Sequence, residues 1–220
     1  MRVKICGIRR RDDALEAARL GADAVGVLVG QNHPSAHFVS TTEARAILEV
    51  LPPFVSGVLV SHVTDPAELK ELIEQVKPAA VQIHSTMALE DVAQVRRLHP
   101  GLSLLKSVHI NGQAPFDVIR GYAPVVDGLV ADSLNPATGQ VGGTGLTHDW
   151  STTATLAKQT EVPMLLAGGL TPQNVAEAIR QVQPWGVDVN SGVKAADGFQ
   201  CRQRMAEFIS AVRHAAPPVA

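Results

Sequence analysis

Short apolar runs alternate with longer amphipathic stretches along the whole chain. Eight runs rich in β-branched residues recur: "VKIC" (3–6), "DAVGVLV" (23–29), "FVSGVLV" (54–60), "AAVQIH" (79–84), "LSLLKSV" (102–108), "VVDGLVAD" (125–132), "VPMLLAG" (162–168) and "WGVDVN" (185–190). Most are nearly continuous in hydrophobicity rather than alternating, as expected of parallel strands buried on both faces. Between them, apolar residues fall at i, i+3, i+4, i+7: Ala44, Ile47, Leu48, Leu51; Leu69, Leu72, Ile73, Val76; Val175, Ala178, Ile179, Val182; Met205, Phe208, Ile209, Val212. Each stripe suits a helix covering one side of a sheet. Asp65-Pro66 and Thr171-Pro172 each set a capping side chain before a first-turn proline, predicting helix starts there. Pro78, Pro100 and Pro184 stop the helices that precede them. A further helix near 114–121 is weakly patterned.

Eight strands alternating with eight helices, without a linker or a composition break, predict a single-domain α/β fold, a (β/α)8 TIM barrel over residues 1–214. The competing architecture is a doubly wound open sheet, but no GxGxxG follows the first strand. Residues 215–220, ending in "APPVA", read as a loose tail.

Composition and charge narrow the function. A net charge of −2 gives no basic field for nucleic acid or an anionic membrane. Any anion must therefore be held by local devices. Two cysteines, Cys6 and Cys201, are too few for a disulfide framework. A reduced, intracellular pair is the expectation, although a single bridge between them stays open. With no leader-like opening and no apolar run near the ~20 residues of a membrane span, the expected location is cytoplasmic.

In a barrel of this kind the chemistry sits at the C-terminal strand ends, whereas the opposite end serves stability. That rule selects Cys6 at strand 1, His84 at strand 4, Asp132 at strand 6, Gly168-Gly169 at strand 7 and Asn190-Ser191-Gly192 at strand 8. Asp23 and Asp127 open their strands and fall on the structural face. The small-residue turns in "LLAGGLTPQN" and "VDVNSGV" let backbone N–H groups approach an anion, which predicts phosphate binding by Gly168, Gly169, Asn190, Ser191 and Gly192. The glycine-rich segment "GQVGGTGLTHDW" (139–150) is longer than a simple strand–helix connection and reads as a mobile cover or a surface insertion. It is not a nucleotide P-loop, and no histidine spacing suggests a metal site.

Taken together, "KICGI", "GADAVG", "VQIH", "GGTGLTHDW", "LAGGLTPQNVAEAI" and "GVDVNSGV", in order over residues 2–213, strongly resemble the phosphoribosylanthranilate isomerase family of tryptophan biosynthesis. The resemblance implies an Amadori rearrangement of a phosphosugar substrate, with no cofactor, Cys6 as base and Asp132 as acid. It also places His37, His84, Asp188 and Gly143 at the substrate. The acid role requires burial that raises the Asp132 pKa. The chain departs from the family pattern where the aromatic amine would sit. His37 stands where an arginine is usual, Ser85 where glycine is, Leu146 where lysine is frequent and Lys194 where glutamate is usual, and "NSG" replaces "SSG". The same rearrangement on another N-phosphoribosyl amine is the runner-up. Schiff-base chemistry at Lys4 or Lys106 is a second class, set against a reading of both lysines as barrel-interior partners of carboxylates. A non-catalytic phosphosugar-binding barrel is a third. Oligomeric state is not written in the sequence.

Overall fold

The computed structural model describes residues 1–31, 37–110, 116–133 and 149–215. Gly143, Leu146, nearly all of the 139–150 segment and residues 216–220 of the expected 215–220 tail lie outside the described residues, while Ala215 is helical rather than part of a tail.

Eight strands alternate with eight helices: β1 Arg2–Ile5, α1 Arg11–Leu20, β2 Ala24–Leu28, α2 Thr41–Leu48, β3 Ser56–Ser61, α3 Pro66–Val76, β4 Ala80–Ile83, α4 Leu89–Leu98, β5 Ser103–Ile110, α5 Phe116–Tyr122, β6 Gly128–Ser133, α6 Trp150–Gln159, β7 Met164–Leu166, α7 Val175–Val182, β8 Gly186–Val189 and α8 Arg202–Ala215. Short 3-10 helices at Ala123–Val125 and Ser191–Val193 complete the order. All strand pairs are parallel, and β1 pairs with both β2 and β8, so the sheet closes into a barrel in sequence order. Residues facing the helices (Val3, Ile5, Val25, Leu59, Val81, Leu129, Val187) share one core with the helical stripes. Inward residues form smaller clusters, one around Cys6, Leu28, Val58, Val60 and Ala80, another around Val130, Leu165 and Ala167. Both strand faces are thus buried, which is why the runs show so little alternation. Among the described residues no helix is long and apolar enough to cross a membrane.

Local signals explain the helix ends. The Asp65 side chain accepts from the Ala67 N–H (2.9 Å) with Pro66 at the first helical position, as expected. Thr171-Pro172 does not start a helix. The Thr171 N–H donates to Asn174 Oδ1 (2.8 Å) and the Asn174 N–H to Thr171 Oγ1 (3.3 Å), closing a separate turn, and α7 begins only at Val175. Leu51 likewise lies beyond the end of α2, although it still packs against the core.

Asp23 and Asp127 work as structural clasps at the N-terminal end of the barrel. Asp23 accepts from the Val3 N–H (2.8 Å) and from Arg2 and Arg213; Asp127 accepts from the Leu104 N–H (2.7 Å) and from Arg96. A cavity of about 450 Å3 opens at that end, between these clasps and the exposed rings of Phe54 and Trp185.

Candidate active site

The alternation of β1 sends Lys4 and then Cys6 into the barrel, on the side opposite Val3 and Ile5. Room for both comes from Gly26 on β2, where a Cβ would stand 2.9 Å from Cys6 Sγ and 3.1 Å from Lys4 Cε. The glycine after the cysteine has its own reason. Gly7 has φ +70°, and a Cβ there would meet the Asn190 side chain at 2.4 Å, so only glycine lets the chain leave β1 beneath Asn190. The Cys6 carbonyl accepts from Gln200 Nε2 (2.6 Å), a positioning contact between residues 194 positions apart that no local pattern pairs.

Lys4 Nζ donates to Asp188 Oδ2 on β8 (2.7 Å), and both residues are buried. Burial lowers the Lys4 pKa, but Asp188 and Cys6 outweigh it and the net shift is upward. Lys4 is therefore held as the ammonium. Burial pushes the Cys6 thiol up to about 11, with the Lys4 ammonium pulling against it and Asp188 adding to it. Asp132 Oδ1 accepts from the Ser133 N–H (2.7 Å). Even so, burial, with a contribution from Asp188, carries its carboxyl up to about 7. The burial-raised pKa that an acid role at this position would require is thus present. Cys6 and Asp132 both feel the same Lys4–Asp188 pair.

His84, just past β4, is buried, and its Nε2 lies 3.9 Å from Asp132 Oδ2. That separation would allow an ion pair, but burial and the neighbouring His62 and His109 push the imidazole pKa well below its usual value, so the ring is neutral. Gln82 Nε2 donates to Ser107 Oγ (3.1 Å), which lies 2.9 Å from His84 Nδ1. Ser107 Oγ can donate to or accept from Nδ1 according to the imidazole tautomer, and Nε2 is the nitrogen facing Asp132. His84 also belongs to a row of rings. Phe38 and His62 centroids are 5.2 Å apart, His62 and His84 4.7 Å, His84 and His109 5.3 Å. His62 and His109 were not selected from the sequence as site residues. Their place at strand ends was the available signal, since both sit in the register that faces the barrel mouth.

The glycine turns meet at the end of β7 and β8. Gly168 and Gly169 have φ +82° and +64°, and a Cβ on Gly168 would stand 2.6 Å from the Ser133 nitrogen. A Cβ on Gly192 would lie 1.9 Å from the Leu170 carbonyl oxygen. The two loops are therefore in backbone contact. They line a cavity of about 400 Å3 with Thr171, Ser191 and, from α8, Arg204 and Glu207.

His37 and Lys194, 157 positions apart, meet with Lys194 Nζ 2.5 Å from His37 Nδ1. Burial first, then Lys194 and Arg9, lowers the His37 pKa, so the ring is neutral and accepts from the ammonium. Burial and Arg9 bring Lys194 down to about 8, against a smaller upward pull from Cys6.

Lys106 overturns its sequence reading. It faces the helical layer, not the barrel interior, and its Nζ donates to the carbonyls of Ser85 (2.8 Å) and Ser107 (2.7 Å), with the Tyr122 ring 5.1 Å away. It has no carboxylate partner among the described residues, and burial lowers it to about 8. Lys4 keeps the reading given to it. Cys6 and Cys201 are both free thiols.

The family model and the curated relatives named here point to one family. Residues 3–211 match the family described as N-(5'-phosphoribosyl)anthranilate (PRA) isomerase. The chain is 39% identical over 209 residues to the N-(5'-phosphoribosyl)anthranilate isomerase 2 of Methanosarcina mazei, covering 95% of this chain and 92% of that protein. The crystal structure of phosphoribosyl anthranilate isomerase from Thermotoga maritima superposes with a TM-score of 0.84 at 32% identity, over 97% of this chain and 99% of that one. A phosphoribosyl anthranilate isomerase solved with reduced 1-(o-carboxyphenylamino)-1-deoxyribulose 5-phosphate gives 0.82 at 29% identity, with the same coverage. With nearly its whole length matched, this chain belongs to the N-(5'-phosphoribosyl)anthranilate isomerase family.

Proposed function

We propose that this barrel converts N-(5-phosphoribosyl)anthranilate to 1-(2-carboxyphenylamino)-1-deoxyribulose 5-phosphate, with Asp132 as general acid and Cys6 as base. One observation carries the assignment: a buried carboxyl raised to about 7 and a buried thiol both border one buried, hydrogen-bonded Lys4–Asp188 pair. The backbone N–H groups of Gly168, Gly169, Ser191 and Gly192 hold the phosphate, with Asn190 and Asp188 beside the ribose. Asp188 Oδ1 and Asn190 Oδ1, buried without partners among the described residues, are acceptors for sugar hydroxyls. The row of rings from Phe38 to His109 gives the aromatic amine an apolar wall, with His84 in it.

The steps balance within the substrate. Asp132 gives its proton to the ring oxygen, the C1–O bond breaks, and the nitrogen lone pair forms a C1=N iminium. The cation beside Cys6 lowers the thiol, whose proton passes to the Asp132 carboxylate. The thiolate then takes the C2 proton, the C2–H electrons form C1=C2, and the C=N pair returns to nitrogen. Cys6 delivers its proton to C1 and recovers one from the C2 hydroxyl as the ketone forms. C2 is oxidised and C1 reduced within one molecule, so the reaction needs no external oxidant or reductant. A reducing cytoplasm suits a working thiol, and we place the enzyme there.

Turnover of phosphoribosylanthranilate, followed by chromatographic separation of substrate and product, tests the reading. Cys6→Ser and Asp132→Asn should each lower kcat by ~10²–10⁴-fold with near-UV circular dichroism preserved. A folded variant that keeps the parent rate removes that residue from the mechanism.

A further inference from the structure

We propose that Lys194 is the anchor for the carboxylate on the substrate's aromatic amine, and so the residue that selects anthranilate over uncharged amines. The inference rests on the reaction proposed above. That substrate carries two anions at opposite ends, a phosphate and a benzoate carboxylate. The carboxylate enters a largely buried mouth and needs a cation there.

The charged groups near Cys6 leave one candidate. Lys4 is committed to Asp188, and Lys106 is on the helical side of β5. Arg9 lies against the Phe199 ring and donates to the Gly198 carbonyl (2.8 Å). Lys194 is 7% exposed, yet its ammonium meets no carboxylate among the described residues. Its partner is a neutral imidazole, and the other charge that bears on it besides Cys6 is the Arg9 guanidinium. A buried cation beside a second cation, with no carboxylate partner among the described residues, is a costly arrangement that an anionic ligand would relieve.

Position separates this site from the phosphate loops. The Lys194 backbone follows β8, but its side chain reaches His37 on the segment after β2, two strands further round the barrel from β8 and three from β7. The ring row begins at Phe38, next to His37. An aromatic amine lying along that row directs an ortho carboxylate to the Lys194–His37 pair. His37, accepting one ammonium proton at Nδ1, is the positioning residue that holds Nζ there.

The test uses two stable product analogues, reduced 1-(o-carboxyphenylamino)-1-deoxyribulose 5-phosphate and its counterpart lacking the carboxyl, with calorimetric affinities. The unmodified enzyme should prefer the carboxylated ligand by ~10–150-fold, the worth of one charge-assisted pair. In Lys194→Met and Lys194→Gln the carboxylated ligand should weaken until the preference is under about threefold, and Lys194→Arg should restore part of it. Equal affinities in the unmodified enzyme overturn the proposal without any variant. So does a preference that survives in a folded Lys194→Met, and so does an equal loss of both ligands, which would make Lys194 a phosphate or structural group. Binding of neither ligand, with no turnover of phosphoribosylanthranilate, would instead bring down the function itself and this inference with it.

Discussion

Gly192→Ala adds one methyl group where the structure has no room for it. The new Cβ would lie 1.9 Å from the Leu170 carbonyl oxygen, 3.0 Å from its carbon and 3.1 Å from Thr171 Cα. An ordinary C···O approach is about 3.3–3.6 Å, so one of the two loops has to move by more than about 1 Å. The obstacle is backbone, and no rotamer change can relieve it. Overpacking of this kind costs ~1–3 kcal/mol. For a chain of this length that lowers Tm by about 2–12 °C. The displaced groups are the N–H donors assigned to the phosphate, and misplacement by ~1 Å can cost ~10²-fold. The loss should appear mainly in KM and in a weaker competitive Ki for inorganic phosphate. Gly101→Ala is the control, because a Cβ there meets nothing within 4 Å. A Gly192→Ala enzyme with parental Tm would refute the packing argument. One that is destabilised but keeps its KM and its phosphate Ki would refute the phosphate assignment.

Two further outcomes follow from buried charge. The Asp132 carboxyl titrates near 7 when folded, against about 3.9 unfolded, so its favourable contribution is complete below pH ~4 and is lost as pH rises through ~7. Asp132→Asn should therefore gain up to about 4 kcal/mol over the parent above pH 7, and an unchanged pH slope in urea titrations would contradict the burial argument. Lys106 is depressed to about 8, so the parent's stability should rise between pH ~8 and ~10 while that of Lys106→Met stays flat. That variant should also keep kcat/KM within about threefold, and borohydride trapping of substrate on Lys106 would overturn its placement outside the chemistry.

The barrel was legible because strands buried on both faces write themselves as continuous apolar runs, and because Asp65-Pro66 is a local cap. The limits came from the same physics. In "LSLLKSV" both faces are apolar, so nothing in the run says whether Lys106 or Ser107 points inward; the register puts Ser107 in the barrel with Gln82 and His84. Thr171 and Asn174 satisfy each other's N–H groups in a turn, using the residue types of a helix start, so composition could not separate the two. The departure at His37 was visible, but its meaning was not. It depends on a contact with Lys194 across 157 positions, made by a side chain that reaches from the loop after β8 to the segment after β2.

In the proposed mechanism the thiol decides how the reaction begins. Two protonation states could start it: Cys6 thiol with Asp132 carboxylic acid, or thiolate with carboxylic acid. With the thiol near 11 and the carboxyl near 7, moving one proton from Cys6 to an ionised Asp132 is unfavourable by about 10⁴-fold, or about 5.4 kcal/mol. A route that needs the thiolate in the free enzyme draws on that small population. A route in which Asp132 acts first draws on the fully protonated pair, abundant below pH 7, and lets the iminium generate the thiolate when it is needed. The two routes differ in sign. Acid-first catalysis requires kcat/KM to be level at low pH and to fall about tenfold per unit above pH ~7, as Asp132 loses its proton. The thiolate route requires kcat/KM to rise through pH ~7 and hold to near 11, because the ionised pair with one proton is then its parent state. A profile of kcat/KM between pH 5.5 and 9.5, at saturating stability of the enzyme, separates them. A rise through neutrality would exclude the acid-first order and leave Cys6 dependent on its rare thiolate.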